Sequence, residues 1–266
     1  MSREKVKIAC FDFTGCEGCQ LAKVNLEDEL VPLLNYVEFV QFREAMDPVS
    51  DDYKIAFVEG SISTEECVQR IRKIRKQADM LVTVGACSTH GGLQAMRNNR
   101  PLKEVQDEGY PGMNVDHLKS LPWSLPVSKV VKVDFAIPGC PMDKAEFVRV
   151  VQALLVGKTP PMPSYPVCVE CKRNENECVY DLGYVCMGPI TRAGCDARCP
   201  SVNSPCIGCR GLVEDLNEQA QKDVLEKHGL TPEDIIKKFR WFCAYPELEG
   251  KEEEIEAVLA QIPEED

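Results

Sequence analysis

Twelve of the fifteen cysteines in this 266-residue chain fall into two constellations whose spacing suits metal chemistry. Cys16 and Cys19 (TGCEGC), Cys87 (VGACSTHGG) and Cys140 (IPGCPMD) are spread over the first half. Eight more, Cys168, Cys171, Cys178, Cys186, Cys195, Cys199, Cys206 and Cys209, crowd one stretch that opens on VCVEC and closes on PCIGC. Four thiolates hold one iron–sulfur cube, so sets of four and eight read as one cluster and two. Glycines flank the first set at Gly15, Gly18, Gly85, Gly91 and Gly139. They allow tight turns and let the backbone approach a bulky inorganic group.

Other chemistries compete for the same thiols. Zinc accepts four thiolates too, but its usual sites draw them from compact knuckles rather than from separate strand ends. In the second stretch Cys168, Cys171, Cys206 and Cys209 would make a zinc ribbon, leaving four thiols without a role. Sequence proximity pairs Cys168, Cys171, Cys178 and Cys186 around one cluster and Cys195, Cys199, Cys206 and Cys209 around the other. Exchange of one or two ligands between them stays open, as in two-cluster ferredoxins. Glu59, Gly60 and Ser61 (VEGSI) are placed to line the first cluster without ligating it, as is His90. Alternatively the turn caps the helix TEECVQRI through Ser61 or Ser63, and a lone histidine is commonly structural. Cys10, Cys67 and Cys243 are expected to pack as small hydrophobes.

The elements that must position these groups are legible up to about Gly157. Short apolar runs (VKIACFDF, VEFVQFRE, KIAFVEG, MLVTVGA, VVKVDFAIPG) are separated by helical periodicity in LAKVNLEDELVPLL, TEECVQRIRKIRK and KAEFVRVVQALL. Strands separated by helices predict a doubly wound, flavodoxin-like parallel sheet covered on both faces, an α/β fold. Ligands of such sheets sit beyond the carboxyl ends of the strands. Cys16 and Cys19 follow the first strand, Cys87 follows MLVTVGA and Cys140 follows VVKVDFAI, so three strands bring four thiols to one edge.

KTPPMPSYP breaks the chain. Domains are therefore expected at 1–157 (the sheet), 158–211 (a loop-rich cluster module too poor in apolar runs to fold without its ligands) and 212–266 (a helical acidic tail). Helices are predicted in LVEDLNEQAQKDVLEKHG, stopped by Gly229; in TPEDIIKKF, capped by Thr231 with Pro232 in its first turn; and in KEEEIEAVLAQI. From Leu212 onward the charge is −10 of the chain's −12. The tail's acidic helices read as solvated surface, and so do the module's mixed charges, Lys172, Arg173, Arg192, Arg198 and Arg210 among them.

Net acidity sets nucleic acid aside as a partner. No apolar run reaches the ~18–20 residues of a membrane span, and MSREKVKIACFDF shows neither an export signal nor a twin-arginine stretch. Membrane insertion is not expected, and a cytoplasmic location is. There thiols bind metal more readily than they form disulfides. The chain has no phosphate loop, no GxGxxG after its first strand and no GxSxG elbow, so no catalytic residue is assigned to it.

These residues together resemble the small subunit of nickel-iron hydrogenases, over roughly residues 5–211. TGCEGC, VEGSI, VGACSTHGG and IPGCP carry the likeness in the first part, ECVYDLGYVCMGPITRAGC and PCIGC in the second. The resemblance implies an electron-transfer component of a hydrogenase, with the nickel-iron centre in a separate large subunit. It makes Cys16, Cys19, Cys87 and Cys140 the proximal 4Fe-4S site, Cys195, Cys199, Cys206 and Cys209 the medial one, and Cys168, Cys171, Cys178 and Cys186 the distal one. Periplasmic members carry histidine where Cys168 stands and lack a fourth medial cysteine where Cys199 stands. Three 4Fe-4S clusters of lower potential are thus implied, as in the cytoplasmic branch, with further iron-sulfur or flavin redox subunits as partners. The cluster-bearing subunit of respiratory NADH:quinone oxidoreductases shares the first domain, but has two adjacent cysteines in place of CxxC and no eight-cysteine extension.

Overall fold

The computed structural model describes residues 4–242 and 248–264. Five parallel strands form the central sheet in the order β2-β1-β3-β5-β7: β1 (Val6–Phe11), β2 (Val37–Phe42), β3 (Ile55–Glu59), β5 (Met80–Val84) and β7 (Phe135–Ile137). The intervening β4 (Ile62–Thr64) pairs antiparallel with β6 (Ser120–Leu125) in a separate two-stranded sheet. The order of the five is that of a flavodoxin-like sheet, whose switch point lies where the order reverses, between β1 and β3.

Both faces of the sheet are buried, with the two-residue alternation that strands impose. Ala9, Phe11, Ala56, Val58 and Leu81 face one core, which α3 (Glu65–Gln77) covers through Val68, Ile71 and Ile74. Ile8, Cys10, Ile55, Phe57, Val82, Val84 and Ile137 face the other, covered by α6 (Lys144–Leu155) through Phe147, Val150 and Val151. α1 (Gly18–Val24) lies on this second side through Cys19 and Ala22.

Several expectations are corrected. LAKVNLEDELVPLL is not one helix: α1 stops at Val24, and after a 3-10 turn only the four residues of α2 (Leu30–Leu33) are helical. Pro32 supplies no N–H to a longer helix. The cap of α3 is Thr64, whose side chain accepts from the Cys67 amide, and not Ser61 or Ser63. Ser61 is fully buried and bonded to Ser124 instead. The last strand keeps only Phe135–Ile137 of the run VVKVDFAIPG. β4 and β6 escaped notice because one is three residues long and the other contains Pro122.

After α4 (Gly85–His90), α5 (Leu102–Gly109) and α6, the chain enters the cysteine-rich stretch, where α7 (Val167–Arg173) is the one α-helix among the described residues. Its small core is Val167, Val179, Ala197 and the thiols of Cys186 and Cys206, with Cys171, Tyr180 and Cys195 against them. The tail forms α8 (Glu218–Lys227), α9 (Pro232–Arg240), with a capping box between Thr231 and Asp234, and α10 (Glu252–Ala260). Gly229, at φ +82°, follows α8 as its stop.

The tail is not merely solvated surface. Leu225 packs with Met187 and Ile190 of the module. Ile255, Leu259 and Ile262 join the α3 side of the sheet core, and Arg72 donates to the carbonyls of Leu259 and Ile262 at 2.9 and 3.0 Å. Among the described residues no helix is long and apolar enough to cross a membrane.

Candidate metal centres

The first four thiols converge at the carboxyl edge of the sheet. Cys16 sits in the loop after β1, Cys19 in the first turn of α1, Cys87 in α4 just beyond β5, and Cys140 in the turn after β7. Cys140 is pushed up to about 11 by burial and then by the thiolates of Cys87 and Cys16; Cys87 reaches about 11 by burial, with Cys16 adding to it. Burial lifts Cys19 as well, with Glu59 and Cys87 raising it further. Each thiol therefore lies within electrostatic reach of others in the set, and ligation would have to displace their protons. Cys16 and Cys140 are exposed, Cys19 buried.

Two glycines shape the backbone around these sulfurs. A Cβ on Gly85 would lie 2.5 Å from the Cys19 sulfur, and one on Gly92 2.7 Å from the Cys87 sulfur. Glycine at both places, each at positive φ, thus lets the backbone pack directly against a sulfur. The Met142 amide donates to the Cys19 sulfur at 3.4 Å, the kind of bond that tunes a cluster's potential. Among the described residues no three His, Cys, Asp or Glu side chains stand close enough to grip a single metal ion.

The residues placed beside this site prove to be braces. Glu59, 3% exposed, accepts the Cys19 amide at 3.1 Å, and burial raises its carboxyl. A Cβ on Gly60 would strike the Phe13 backbone at 2.5 Å, so this glycine admits the loop that leads to Cys16. Ser61 exchanges backbone bonds with Thr14 in the same loop. The His90 Nε2 lies 3.1 Å from the Arg210 carbonyl oxygen. Cys10 and Cys67 are packed in the sheet's two cores, and Cys243 lies outside the described residues.

The later eight fall into neighbourhoods. Cys168 is pushed up to about 11 by burial and then by Cys186, Cys171 and Cys178. Cys209 reaches about 11 by burial, lowered by the Cys140 amide and raised by Cys195, Cys140 and Cys199. Cys206 stands between the groups, burial lifting it first and both Cys186 and Cys209 adding to that. Gly188 is close to two sulfurs, its notional Cβ 3.3 Å from that of Cys186 and 3.4 Å from that of Cys168. The amides of Gly188 and Cys206 donate to the Cys186 sulfur at 3.4 and 3.3 Å. Cys178 is exposed.

Sequence reasoning missed three residues that hold this region. Glu170 accepts the amides of Gly194 and Ala197 at 2.7 and 3.1 Å, joining α7 to the Cys195 loop. Arg210, expected on a solvated surface, is 1% exposed and paired with the buried Glu146 at 2.7 Å. The available signal was Glu146 itself, an acid on the apolar face of KAEFVRVVQALL, four residues before Val150. Nothing in its flanking residues marks Arg210 apart from the other basic residues of the stretch.

Residues 16–154 match the family model described as NADH ubiquinone oxidoreductase, 20 Kd subunit. Sulfhydrogenase 2 subunit delta of Pyrococcus furiosus is 38% identical over 244 residues, 90% of this chain and all of that one. The NAD-reducing hydrogenase HoxS subunit delta of Cupriavidus necator is 33% identical, across 60% of this chain and 83% of its own length. A solved NAD+-reducing [NiFe]-hydrogenase in the H2-reduced state superposes with a TM-score of 0.55 at 30% identity, over 60% of this chain and 96% of that one.

Proposed function

The chain belongs to the NADH ubiquinone oxidoreductase 20 kDa subunit family as a nickel-iron hydrogenase small subunit, and from that premise we propose that it wires electrons through three 4Fe-4S clusters. When bound, the clusters supply one-electron transfer; the chain's own residues hold them and set their order. Cys16, Cys19, Cys87 and Cys140 hold the proximal cluster, Cys195, Cys199, Cys206 and Cys209 the medial, and Cys168, Cys171, Cys178 and Cys186 the distal.

The observation that carries this reading is the placement of twelve thiols as a continuous series. It runs from the exposed Cys16 and Cys140 at the sheet edge, past Arg210, which bonds to the chain two residues before both Cys140 and Cys195, to the exposed Cys178. Each end offers a surface to a partner: the nickel-iron large subunit at the first, a further iron-sulfur or flavin subunit at the second. The same proposal divides the chain into a sheet domain (1–157), a cluster module (158–211) and a tail (212–266), and places it in the cytoplasm. The sulfhydrogenase relative aligns over 90% of the chain, so the hydrogenase likeness extends past the domain shared with the respiratory enzymes.

Iron and acid-labile sulfide after anaerobic purification test the reading. About twelve irons per chain are expected from three cages of four on cysteine alone, with a nickel-containing subunit co-purifying. Zinc with little iron would overturn it.

A further inference from the structure

The geometry points to Arg210 as a positioning residue that fixes the first cysteine set against the second, an inference that rests on the cluster reading above. Its guanidinium reaches three parts of the chain. Nη1 donates to the Pro138 carbonyl at 2.8 Å, two residues before Cys140. Nε donates to the Ala193 carbonyl at 2.9 Å, two residues before Cys195. Nη1 and Nη2 grip the two oxygens of Glu146, on α6, at 2.7 Å each. Arg210 itself follows Cys209, and its own carbonyl oxygen lies against His90, three residues beyond Cys87. One side chain and its backbone thus tie down segments carrying Cys87, Cys140, Cys195 and Cys209, two thiols from each set.

Space around it is closed. A Cβ on Gly194 would fall 2.3 Å from Nη2, so no other residue fits there while the fork stays in place. Pro138 and Ala193, each two residues before a thiol of a different set, therefore meet on this one side chain.

Stability alone does not call for this arrangement. Apolar residues of similar volume commonly replace a buried ion pair without loss, because desolvating two charges consumes most of their attraction. A planar fork bound to a carboxylate and to two fixed carbonyls gives something apolar packing does not, a defined distance and orientation. Electron passage between two centres falls steeply with their separation, so that distance is a functional quantity. The pair is neutral overall, which makes geometry rather than charge its contribution.

The test uses the complete, anaerobically purified complex carrying Arg210→Met together with Glu146→Met, which removes the clamp without stranding a charge. It reads iron content, unfolding temperature, the magnetic interaction between reduced proximal and medial clusters in paramagnetic resonance, and the freeze-quenched rate at which the medial cluster is reduced. Retained iron, a weakened interaction and medial reduction slowed about tenfold are expected, in line with what small misplacements of positioned groups cost. Arg210→Lys, with one donor point in place of a fork, should fall between the two. A shifted unfolding temperature with unchanged interaction and rate would mean a structural role only and overturn the inference. If the double variant does not fold, Glu146→Gln is the second arm, and there too an unaltered interaction overturns it. A wild-type chain with little iron would instead fail the cluster reading itself.

Discussion

Replacing Gly85 by alanine should cost the protein its proximal cluster, and Gly112 provides the control that isolates the reason. Gly85 has φ +87° and Gly112 φ +72°. A side chain at either position pays for the left-handed backbone, about 1–2 kcal/mol. The surroundings differ: nothing lies within 4 Å of a Cβ at Gly112, whereas at Gly85 the Cys19 sulfur is 2.5 Å away and the Gly139 oxygen 3.6 Å. Comfortable contact needs about 3.5 Å or more, so the sulfur must retreat by roughly 1 Å. Overpacking of that kind adds about 1–3 kcal/mol, and it moves a ligand whose place the cube fixes. For a chain of this size each kcal/mol lowers the unfolding temperature by about 2–4 °C. Gly112→Ala should therefore melt a few degrees low with about twelve irons, and Gly85→Ala lower still with about eight. Iron analysis, calorimetry and the proximal paramagnetic signal check this together. A Gly85→Ala protein that keeps all its iron and melts with the Gly112→Ala control would refute the assignment of Cys19 as a ligand.

Cys87→Ser should leave about eight of about twelve irons and abolish hydrogen-dependent turnover while the medial and distal signals persist; turnover at the wild-type rate would remove Cys87 from the wire. Ile255→Ala, at a tail residue 2% exposed in the sheet core, should destabilise by about 2–4 kcal/mol in denaturant titration without changing iron content, and a change within 0.5 kcal/mol, about the size of a surface substitution, would restore the solvated-tail reading. Burial first, then the charges of Arg192 and Arg210, bring His90 down from 6.5 to about 4. The unfolded chain then binds the extra proton between those values, so the stability owed to neutral His90 is complete above about pH 6.5 and is lost as pH falls toward 4. His90→Gln should gain on wild type as pH is lowered from about 7 to 5.5, by less than the full ~1.4 kcal/mol per pH unit because the unfolded ring is only partly protonated over that range. Unfolding midpoints that run parallel across that range would disprove it.

The sheet was legible because its physics is local. VKIACF, IAFVE and MLVTV bury both faces, so each strand appears as an unbroken apolar run, and α3 and α6 show the periodicity of helices with one covered side. The convergence of Cys16, Cys19, Cys87 and Cys140 on one sheet edge followed from topology once the strands were in order. What escaped depends on contacts distant in sequence. Nothing near Ile255 or Leu259 says that they complete a core built around residues 9–81, and the acidic residues of α10 suggested a solvated helix. Arg210 and Glu146 are separated by 64 residues; Glu146 stands out only as an acid on an apolar helix face, and Arg210 alone resembles a surface charge.

The cysteine-rich stretch resisted reading for a different physical reason. Its buried apolar side chains are few, and two of the buried members of its small core are thiols, Cys186 and Cys206. Apolar pattern in sequence marks a core only where side chains make that core. Here the order comes from cysteine spacing, from Glu170 tying α7 to the Cys195 loop, and from Arg210 tying both to the sheet. Each of those ties ends on a backbone group within three residues of a cysteine. Such ties hold the thiols in place without depending on a packed interior, which is what a segment needs if its largest buried object is to be inorganic. The loss of the Glu170 tie should accordingly stay within the surroundings of Cys195, and that of Arg210 within the seam between the two sets, each leaving the sheet intact, whereas loss of Phe57 or Phe147 from the sheet's own packing would reach every site at once.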